Sequence, residues 1–430
     1  MLLIWPEGMD GIFPLSMGYL MNVLKKIDGK QIESSFLDCS LTAMDTEQFI
    51  GSIKEFDYIG ISIWGSNLDN VNRYIDLIRQ NSDAIIISGG PSAHLVDADF
   101  SIIGEGESSL KAFLLNFNRI DTDFVSTIQG VRIKGNEIRY PSDFIDDLDS
   151  LGYIDYDLLQ LDRYLDNGYK DWMYSIKDKF RSAPIMTTRG CPYSCAYCQG
   201  PVVMGHNIRK HSIEYVINTI QTLYEKHNIR QISILDDNLT FYIDYAKQLC
   251  EAIVKFREKH QEPFLLTTIN GVRVNRLDEE LIILMKKAGW AEVVISPESG
   301  SPKTLKLMKK SINIADMEQK MELIHKHRMN VVGYFMCAYP GETKKDLEMT
   351  RDYILNSKFD RCILNFFNPT PGTPVYAELI KNGALRQVNN NINYKAINYI
   401  PEDLTEHDLI EFKGSITEKT RFKEKWIKDL

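Results

Sequence analysis

The chain has 430 residues, 44% of them hydrophobic and 25% charged, which is enough for two or three globular domains. Its formal net charge of -9 argues against a nucleic-acid-binding surface, because a phosphate backbone needs a clustered basic face. No apolar run approaches the roughly 20 residues of a membrane-spanning helix, and the N-terminus lacks the basic start of a signal peptide. We therefore expect a cytoplasmic protein that binds neither nucleic acid nor a membrane.

Strand-like and helix-like patterns alternate over the first 115 residues. The predicted strands are Leu2–Trp5, Ser35–Asp38, Tyr58–Trp64, Ala84–Ser88 and Ser101–Ile103, and the clearest helices are Ser16–Lys26 and Asn70–Gln80. This alternation predicts a doubly wound parallel sheet in an α/β fold. Glycine and small polar residues follow several strands, as in Gly89-Gly90-Pro91 and Gly104-Glu105-Gly106, and ligands bind at such carboxyl ends.

Beyond this sheet, Val131–Tyr140 predicts a small hairpin turning at Gly135-Asn136, and from Ala183 the alternation resumes. The six further predicted strands are Pro184–Thr188, Gln231–Leu235, Phe264–Thr268, Glu292–Ser296, Val331–Cys337 and Cys362–Phe367. Helical patterns between them predict a partial (β/α)6 barrel. We place domain boundaries at 1–145, 146–180 (a linker), 181–375 (the barrel) and 376–430 (a small helical C-terminal region).

Three of the seven cysteines lie close together in TTRGCPYSCAYCQGP, residues 187–201, directly after the first predicted barrel strand. The thiolates of Cys191, Cys195 and Cys198 can hold three irons of a cubane cluster and leave the fourth iron open. Structural zinc usually takes four ligands, and a redox pair would leave Cys191 unexplained. The other four cysteines are expected to be buried small hydrophobes: Cys39, Cys250, Cys337 and Cys362.

CPYSCAYC resembles the defining motif of radical S-adenosylmethionine (radical SAM) enzymes, including the aromatic Tyr197 before the third cysteine. The resemblance implies a [4Fe–4S] cluster whose open iron binds S-adenosylmethionine. It also implies reductive cleavage to a 5′-deoxyadenosyl radical and an electron donor of the flavodoxin or ferredoxin type. Later segments resemble further motifs of the family: ILDDNLT (234–240), NGVRVNRLDEELIILMKKAGW (270–290), ISPESGSPKTLKLMKK (295–310), GYFMCAYPGET (333–343) and NPTPGTPVY (368–376).

These motifs imply binding residues for S-adenosylmethionine, each with an ordinary structural alternative. Glu298 and Ser299 follow a strand and are placed to meet ribose or amine, although Glu298 can instead cap a helix. Asp236 and Asp237 can do similar work or form a turn at a strand end. Two further candidates are Arg209, for a substrate carboxylate unless it is a surface charge, and Gly341, followed by Glu342, for adenine.

The N-terminal segments resemble the cobalamin-binding domain of class B radical SAM methylases, most specifically at the turns IIISGGPSAH and IIGEGESSL. The resemblance implies that backbone at Gly89, Gly90, Gly104, Glu105 and Gly106 approaches the cofactor. The usual motif histidine two residues after Asp38 is absent, so no histidine from it would ligate cobalt. Two other residues have open interpretations: Trp64, which either covers the lower face of the corrin or is a core residue, and His94, which either approaches cobalt or a corrin amide or is a surface residue.

Three functions follow from this sequence. The first is a cobalamin-dependent radical methylase acting on a carbon centre of a small molecule or peptide. The second is another radical transformation, such as cyclisation, ring contraction or oxidation, with cobalamin in another role or absent. The third is a non-catalytic sensor that binds cobalamin or the cluster. A methylthiotransferase is disfavoured, because that class usually has further cluster cysteines in its N-terminal domain and only Cys39 is found here.

Overall fold

The structure is a computed structural model that describes residues 1–8, 12–27, 32–42, 44–65, 67–116, 125, 127–134, 143–167, 180–260, 263–385 and 395–420. The described residues divide into two compact units. The first unit comprises residues up to 167 together with 199–210, and the second comprises 180–198, 211–385 and 395–420. No helix in these ranges is long and apolar enough to cross a bilayer.

One six-stranded sheet forms the centre of the first unit, in the order β2-β1-β3-β4-β5-β6. Its strands are β1 Leu2–Trp5, β2 Ser35–Asp38, β3 Tyr58–Ser62, β4 Ile85–Gly89, β5 Phe100–Ile102 and β6 Val131–Ile133. Strands β1 to β5 are parallel and β6 is antiparallel to β5. The 2-1-3-4-5 order is that of doubly wound flavodoxin-like sheets, which confirms the predicted fold. The turn of the predicted hairpin, Gly135-Asn136, lies outside the described residues.

The first unit contains six helices among its described residues. They are α1 Leu15–Lys25, α2 Thr46–Ile53, α3 Leu68–Asn81, α4 Gly106–Leu115, α5 Leu161–Asp166 and α6 Gly200–Met204. Phe49 of α2 and Ile78 of α3 pack with Ile4 and Ile61 of the sheet in one buried cluster. The strands read as continuous apolar runs such as Ile85–Ile87 because a parallel sheet with helices on its faces is buried on both sides.

The second unit contains six parallel strands in chain order. They are β7 Ser182–Ile185, β10 Gln231–Ile234, β11 Leu265–Thr268, β12 Glu292–Glu298, β13 Asn330–Cys337 and β14 Arg361–Phe366. Strands β7, β10 and β11 form one ladder and β12, β13 and β14 another. A parallel bridge between Leu266 and Trp290 links the two ladders. This arrangement confirms the predicted partial barrel. Two short strands lie between β7 and β10 in the chain: β8 Thr188–Arg189 and β9 Arg209–Lys210.

The helices of the second unit follow its strands. They are α7 Ile213–Lys226, α8 Ile243–Lys259, α9 Glu279–Ala288, α10 Pro302–Leu307, α11 Ile314–Lys326, α12 Lys344–Asn356, α13 Pro374–Lys381, α14 Glu406–Ser415 and α15 Thr417–Thr420. The last two lie within the C-terminal region, 376–430, that the sequence predicts to be helical. The polar motifs of the sequence lie in the loops after β8, β10, β11, β12 and β13. In a parallel sheet the carboxyl ends of the strands meet at one edge, so we expect the loops that follow them to lie near one another.

Candidate functional site

The three clustered cysteines lie on the loop that follows β8. Backbone hydrogen bonds hold this loop at Ala196, whose N–H donates to the Met308 carbonyl at 2.9 Å and whose carbonyl accepts from Val375 N–H at 3.1 Å. The N–H of Cys198 donates to the Cys195 carbonyl at 3.1 Å, which closes a turn between these two cysteines. In the described residues none of the three cysteines forms a disulfide, and all three are partly buried. One anchored loop therefore presents the three sulfurs.

The surroundings of the cysteine loop suit an iron–sulfur cluster. The Asn238 side-chain Nδ2 lies 3.8 Å from the Cys191 sulfur and donates toward it, and such donors tune cluster sulfurs. Burial raises the pKa of the Cys191 thiol, so iron must displace its proton when it binds. Three soft thiolates on one loop fit a [4Fe–4S] cluster with one open iron.

Asp236 supports the segment that leads into the cysteine loop. Its carboxylate accepts from the Thr187 backbone N–H at 2.6 Å and from the Thr188 hydroxyl at 2.9 Å. Burial raises the pKa of Asp236 to about 6, against the hydrogen bonds that lower it. Asp237, beside it, bonds the Gly190 backbone, and burial followed by the Asp236 charge raises its pKa to about 6. The two carboxylates therefore bond β8 at Thr188 and the residues that flank it, Thr187 and Gly190.

Glu298 ends β12 in the left-handed region, with φ +68°, and is 7% exposed. Its Oε1 accepts from the Tyr197 hydroxyl at 2.8 Å and from Lys310 Nζ at 2.9 Å, and Lys310 Nζ lies 3.1 Å from the same hydroxyl. Glu298 is thus joined to the aromatic residue of the cysteine loop rather than acting as a helix cap; Ser301 caps α10 instead. Sequence reasoning missed Lys310, whose only signal is its place in the run KLMKK.

Ser299 is fully buried, and its hydroxyl lies 2.9 Å from the Thr350 hydroxyl and accepts from the Ser301 N–H at 3.1 Å. These contacts connect the end of β12 to α12. The predicted contact of Ser299 with S-adenosylmethionine therefore competes with bonds inside this unit.

The loop after β13 contains two unusual features. Ala338 has φ +66°, a conformation that favours glycine, at the position where the resembled motif often has glycine. Gly341, with φ +80°, is exposed, while Glu342 is fully buried. Glu342 accepts from the Tyr339 N–H at 3.2 Å, and its other oxygen has no partner among the described residues. Burial raises the pKa of Glu342 to about 8.

In the first unit, Arg209 and Glu105 form a buried ion pair. Two charge-assisted hydrogen bonds of 2.7 and 2.6 Å join the guanidinium to the carboxylate, and the side chains are 5% and 1% exposed. Arg209 also donates to the carbonyl groups of Met204 and Ile145. Arg209 is therefore not a surface charge, and two residues that the sequence assigned to different ligands bind each other.

The glycines at the carboxyl edge of this sheet differ in their surroundings. A Cβ atom placed on Gly89, at the end of β4, would meet nothing within 4 Å. Gly90 has φ +100°, and a Cβ there would lie 2.7 Å from the Ile63 carbonyl oxygen. Gly104 also has a positive φ of 97°. Gly90 is thus required by the turn, whereas Gly89 faces open space.

Trp64 and several polar groups lie in the loops at the same edge. Trp64 is 37% exposed, so the core alternative for this residue is wrong. Buried polar atoms of Asn67, Ser92 and His94 have no hydrogen-bond partner among the described residues. His94 is partly buried rather than a surface residue, and burial lowers its pKa to about 4. Open space and unpaired donors are what a site for a large polar cofactor would show.

Comparisons with known proteins agree with this architecture. A family model described as the radical SAM superfamily matches residues 185–354. An uncharacterized methyltransferase of Pyrococcus horikoshii is 25% identical over 391 residues, covering 87% of this chain and 80% of the relative. The cytidylyl-2-hydroxyethylphosphonate methyltransferase of Streptomyces wedmorensis is 25% identical over 432 residues, covering 86% and 78%. The structure of the radical SAM methyltransferase TsrM from Kitasatospora setae, with cobalamin and a [4Fe–4S] cluster bound, matches with a TM-score of 0.76. The match covers 98% of this chain and 92% of TsrM at 16% sequence identity, so it concerns the fold.

Proposed function

Because this chain carries a radical SAM domain over residues 185–354, we propose that it is a cobalamin-dependent radical SAM enzyme that methylates a carbon centre. One observation carries the proposal. A single chain combines an anchored three-cysteine loop in one unit with a doubly wound sheet in the other, whose carboxyl edge has open space at Gly89 and unpaired buried polar groups. The two relatives described above are named methyltransferases, which favours methyl transfer over other radical reactions.

In the second unit, Cys191, Cys195 and Cys198 would hold the cluster. When bound, the cluster supplies the electron that cleaves S-adenosylmethionine, and cobalamin supplies the methyl group. Asp236 fixes the approach to the cysteine loop through its bonds to Thr187 and Thr188.

Other residues of the second unit would contact S-adenosylmethionine. Tyr197 donates directly to Glu298, and Lys310 contacts both, so they would present a fixed hydrogen-bonding surface beside the cluster. The exposed backbone at Gly341 leaves room for adenine.

In the first unit, the open edge would receive cobalamin. Backbone at Gly89 and Gly90 permits close approach of a flat macrocycle, while Trp64 would exclude water from the lower face. No histidine lies two residues after Asp38, so we expect cobalamin in its base-off form. A small-molecule or peptide substrate and a flavodoxin- or ferredoxin-type donor complete the proposal.

The test is anaerobic reconstitution of the whole chain with iron, sulfide and cobalamin, followed by incubation with S-adenosylmethionine and a reductant. We expect cluster and cobalamin absorbance, 5′-deoxyadenosine, and S-adenosylhomocysteine from the transfer of methyl groups to cobalamin. Deoxyadenosine without S-adenosylhomocysteine would instead indicate a radical reaction without methyl transfer. Absence of both products from a cluster-loaded sample would indicate a sensor, and failure to take up cobalamin would exclude the methylase.

A further inference from the structure

Arg273 lies at the carboxyl edge of the second unit, in the loop after β11. Its guanidinium carbon is 3.5 Å from the ring centroid of Tyr193, so the cation lies over the aromatic face. Tyr193 belongs to the cysteine loop, and its ring meets that of Phe241, which follows β10, edge to face at 6.2 Å. The loops that follow β8, β10 and β11 therefore build the surroundings of this one arginine.

The guanidinium of Arg273 is incompletely bonded. Its Nη1 donates to the Ser311 carbonyl at 3.4 Å, a long contact. Its Nη2 is buried and has no hydrogen-bond partner, a carboxylate included, in the part of the chain that the structure describes. A buried charged donor without a partner is costly. Stacking on Tyr193 fixes the plane of the guanidinium, so its free nitrogen points in one direction.

We propose that Arg273 binds a carboxylate group of a ligand at this edge. A guanidinium matches a carboxylate in charge and in its planar, forked geometry. Phosphate sites, in contrast, usually recruit several cations or the N–H groups at a helix N-terminus. The inference rests on the proposed function, and the carboxylate has two sources, S-adenosylmethionine and the substrate.

The experiment compares Arg273→Met and Arg273→Lys with Arg276→Met in the whole, cluster-loaded chain. Arg276 is the matched control because it is exposed and lies 4.9 Å over the Phe241 ring, so its loss removes one charge from the same loop. In the first arm, S-adenosylmethionine and methylthioadenosine, which lacks the carboxylate, are titrated into each variant. In the second arm, acetate binding to the sample saturated with S-adenosylmethionine is followed by broadening of its carbon-13 resonance.

If the carboxylate is that of S-adenosylmethionine, Arg273→Met weakens S-adenosylmethionine binding by about 10- to 100-fold. Methylthioadenosine binding then stays unchanged, and Arg273→Lys loses less. If the carboxylate is that of the substrate, S-adenosylmethionine binding is unchanged, and acetate binds the wild type and Arg276→Met but not Arg273→Met. Unchanged binding in both arms overturns the inference.

Iron content and thermal unfolding are measured on every sample. If Arg273→Met does not fold, the comparison of Arg273→Lys with Arg276→Met decides by the same outcomes. Neither arm uses cobalamin or methyl transfer. A wild type that fails to take up cobalamin therefore removes the proposed function and leaves the carboxylate result interpretable.

Discussion

The polar side chains at the carboxyl edges of the strands differ in hydrogen bonding between the two units. In the second unit, the carboxylates of Asp236 and Glu298 are bonded by hydroxyl, amide and ammonium groups of neighbouring loops. In the first unit, polar atoms of Asn67, Ser92 and His94 are buried without partners among the described residues. The comparison indicates an organised edge, whose Asp236 and Glu298 carboxylates are bonded by neighbouring residues although Arg273 and Glu342 keep unpaired atoms, and another edge that a ligand would complete.

The largest expected effect is on the organised edge. Changing Cys191, Cys195 and Cys198 together to Ala should abolish cluster binding and all deoxyadenosine formation, because one loop supplies every predicted thiolate. The fold should persist, since the loop is held through backbone atoms of Ala196 rather than through the thiols. Iron analysis, product chromatography and circular dichroism measure these outcomes. A triple variant that still assembles the cluster and cleaves S-adenosylmethionine would refute the assignment.

The open edge of the first unit is tested by filling it. Gly89→Val should weaken cobalamin binding by about 10- to 100-fold, because it places methyl groups where the cofactor is expected and overpacking costs about 1–3 kcal/mol. The free protein should fold normally, as a Cβ there meets nothing within 4 Å. Gly51→Val is the control, because a Cβ on this helical glycine also meets nothing within 4 Å. Equal cobalamin affinity in the two variants would show that the space at Gly89 is not the binding site.

Glu342 is an exception on the organised edge and gives a prediction about pH. Burial raises its pKa from 4.5 to about 8 in the folded chain. The folded state therefore retains a proton that the unfolded state releases, and stability falls as pH rises from 4.5 to 8. Glu342→Gln should remove this contribution, so the variant gains stability relative to wild type across that range. Urea unfolding at pH 5, 6.5 and 8 measures the difference; a gap that does not widen with pH would contradict the raised pKa.

The contrast between local and distant information also explains what the sequence predicted. The strands and the cysteine loop were predicted because apolar runs and the spacing of Cys191, Cys195 and Cys198 are local patterns. The pairing of Arg209 with Glu105 joins residues 104 positions apart, and no local pattern encodes it. The same holds for Lys310 with Tyr197 and for the stacking of Arg273 on Tyr193, because these contacts form only after the loops of different strands meet.

The exposure of Trp64 could not be predicted for the same reason, since its segment resembles a core strand. This residue gives the smallest expected effect on stability. Because Trp64 is 37% exposed and so only partly buried, Trp64→Ala should lower the free energy of unfolding by about 1–2 kcal/mol. Trp64→Phe is the control that keeps an aromatic ring.

If Trp64 covers the lower face of base-off cobalamin, its loss admits water to cobalt, and the absorbance of the reconstituted whole chain shifts in Trp64→Ala but much less in Trp64→Phe. Paramagnetic resonance of the Co(II) form should show no nitrogen coupling from a protein histidine in the wild type. The pKa of His94, lowered to about 4 by burial, keeps its ring neutral and able to ligate. Nitrogen coupling that disappears in His94→Ala would therefore make His94 the lower ligand and exclude Trp64 from that role.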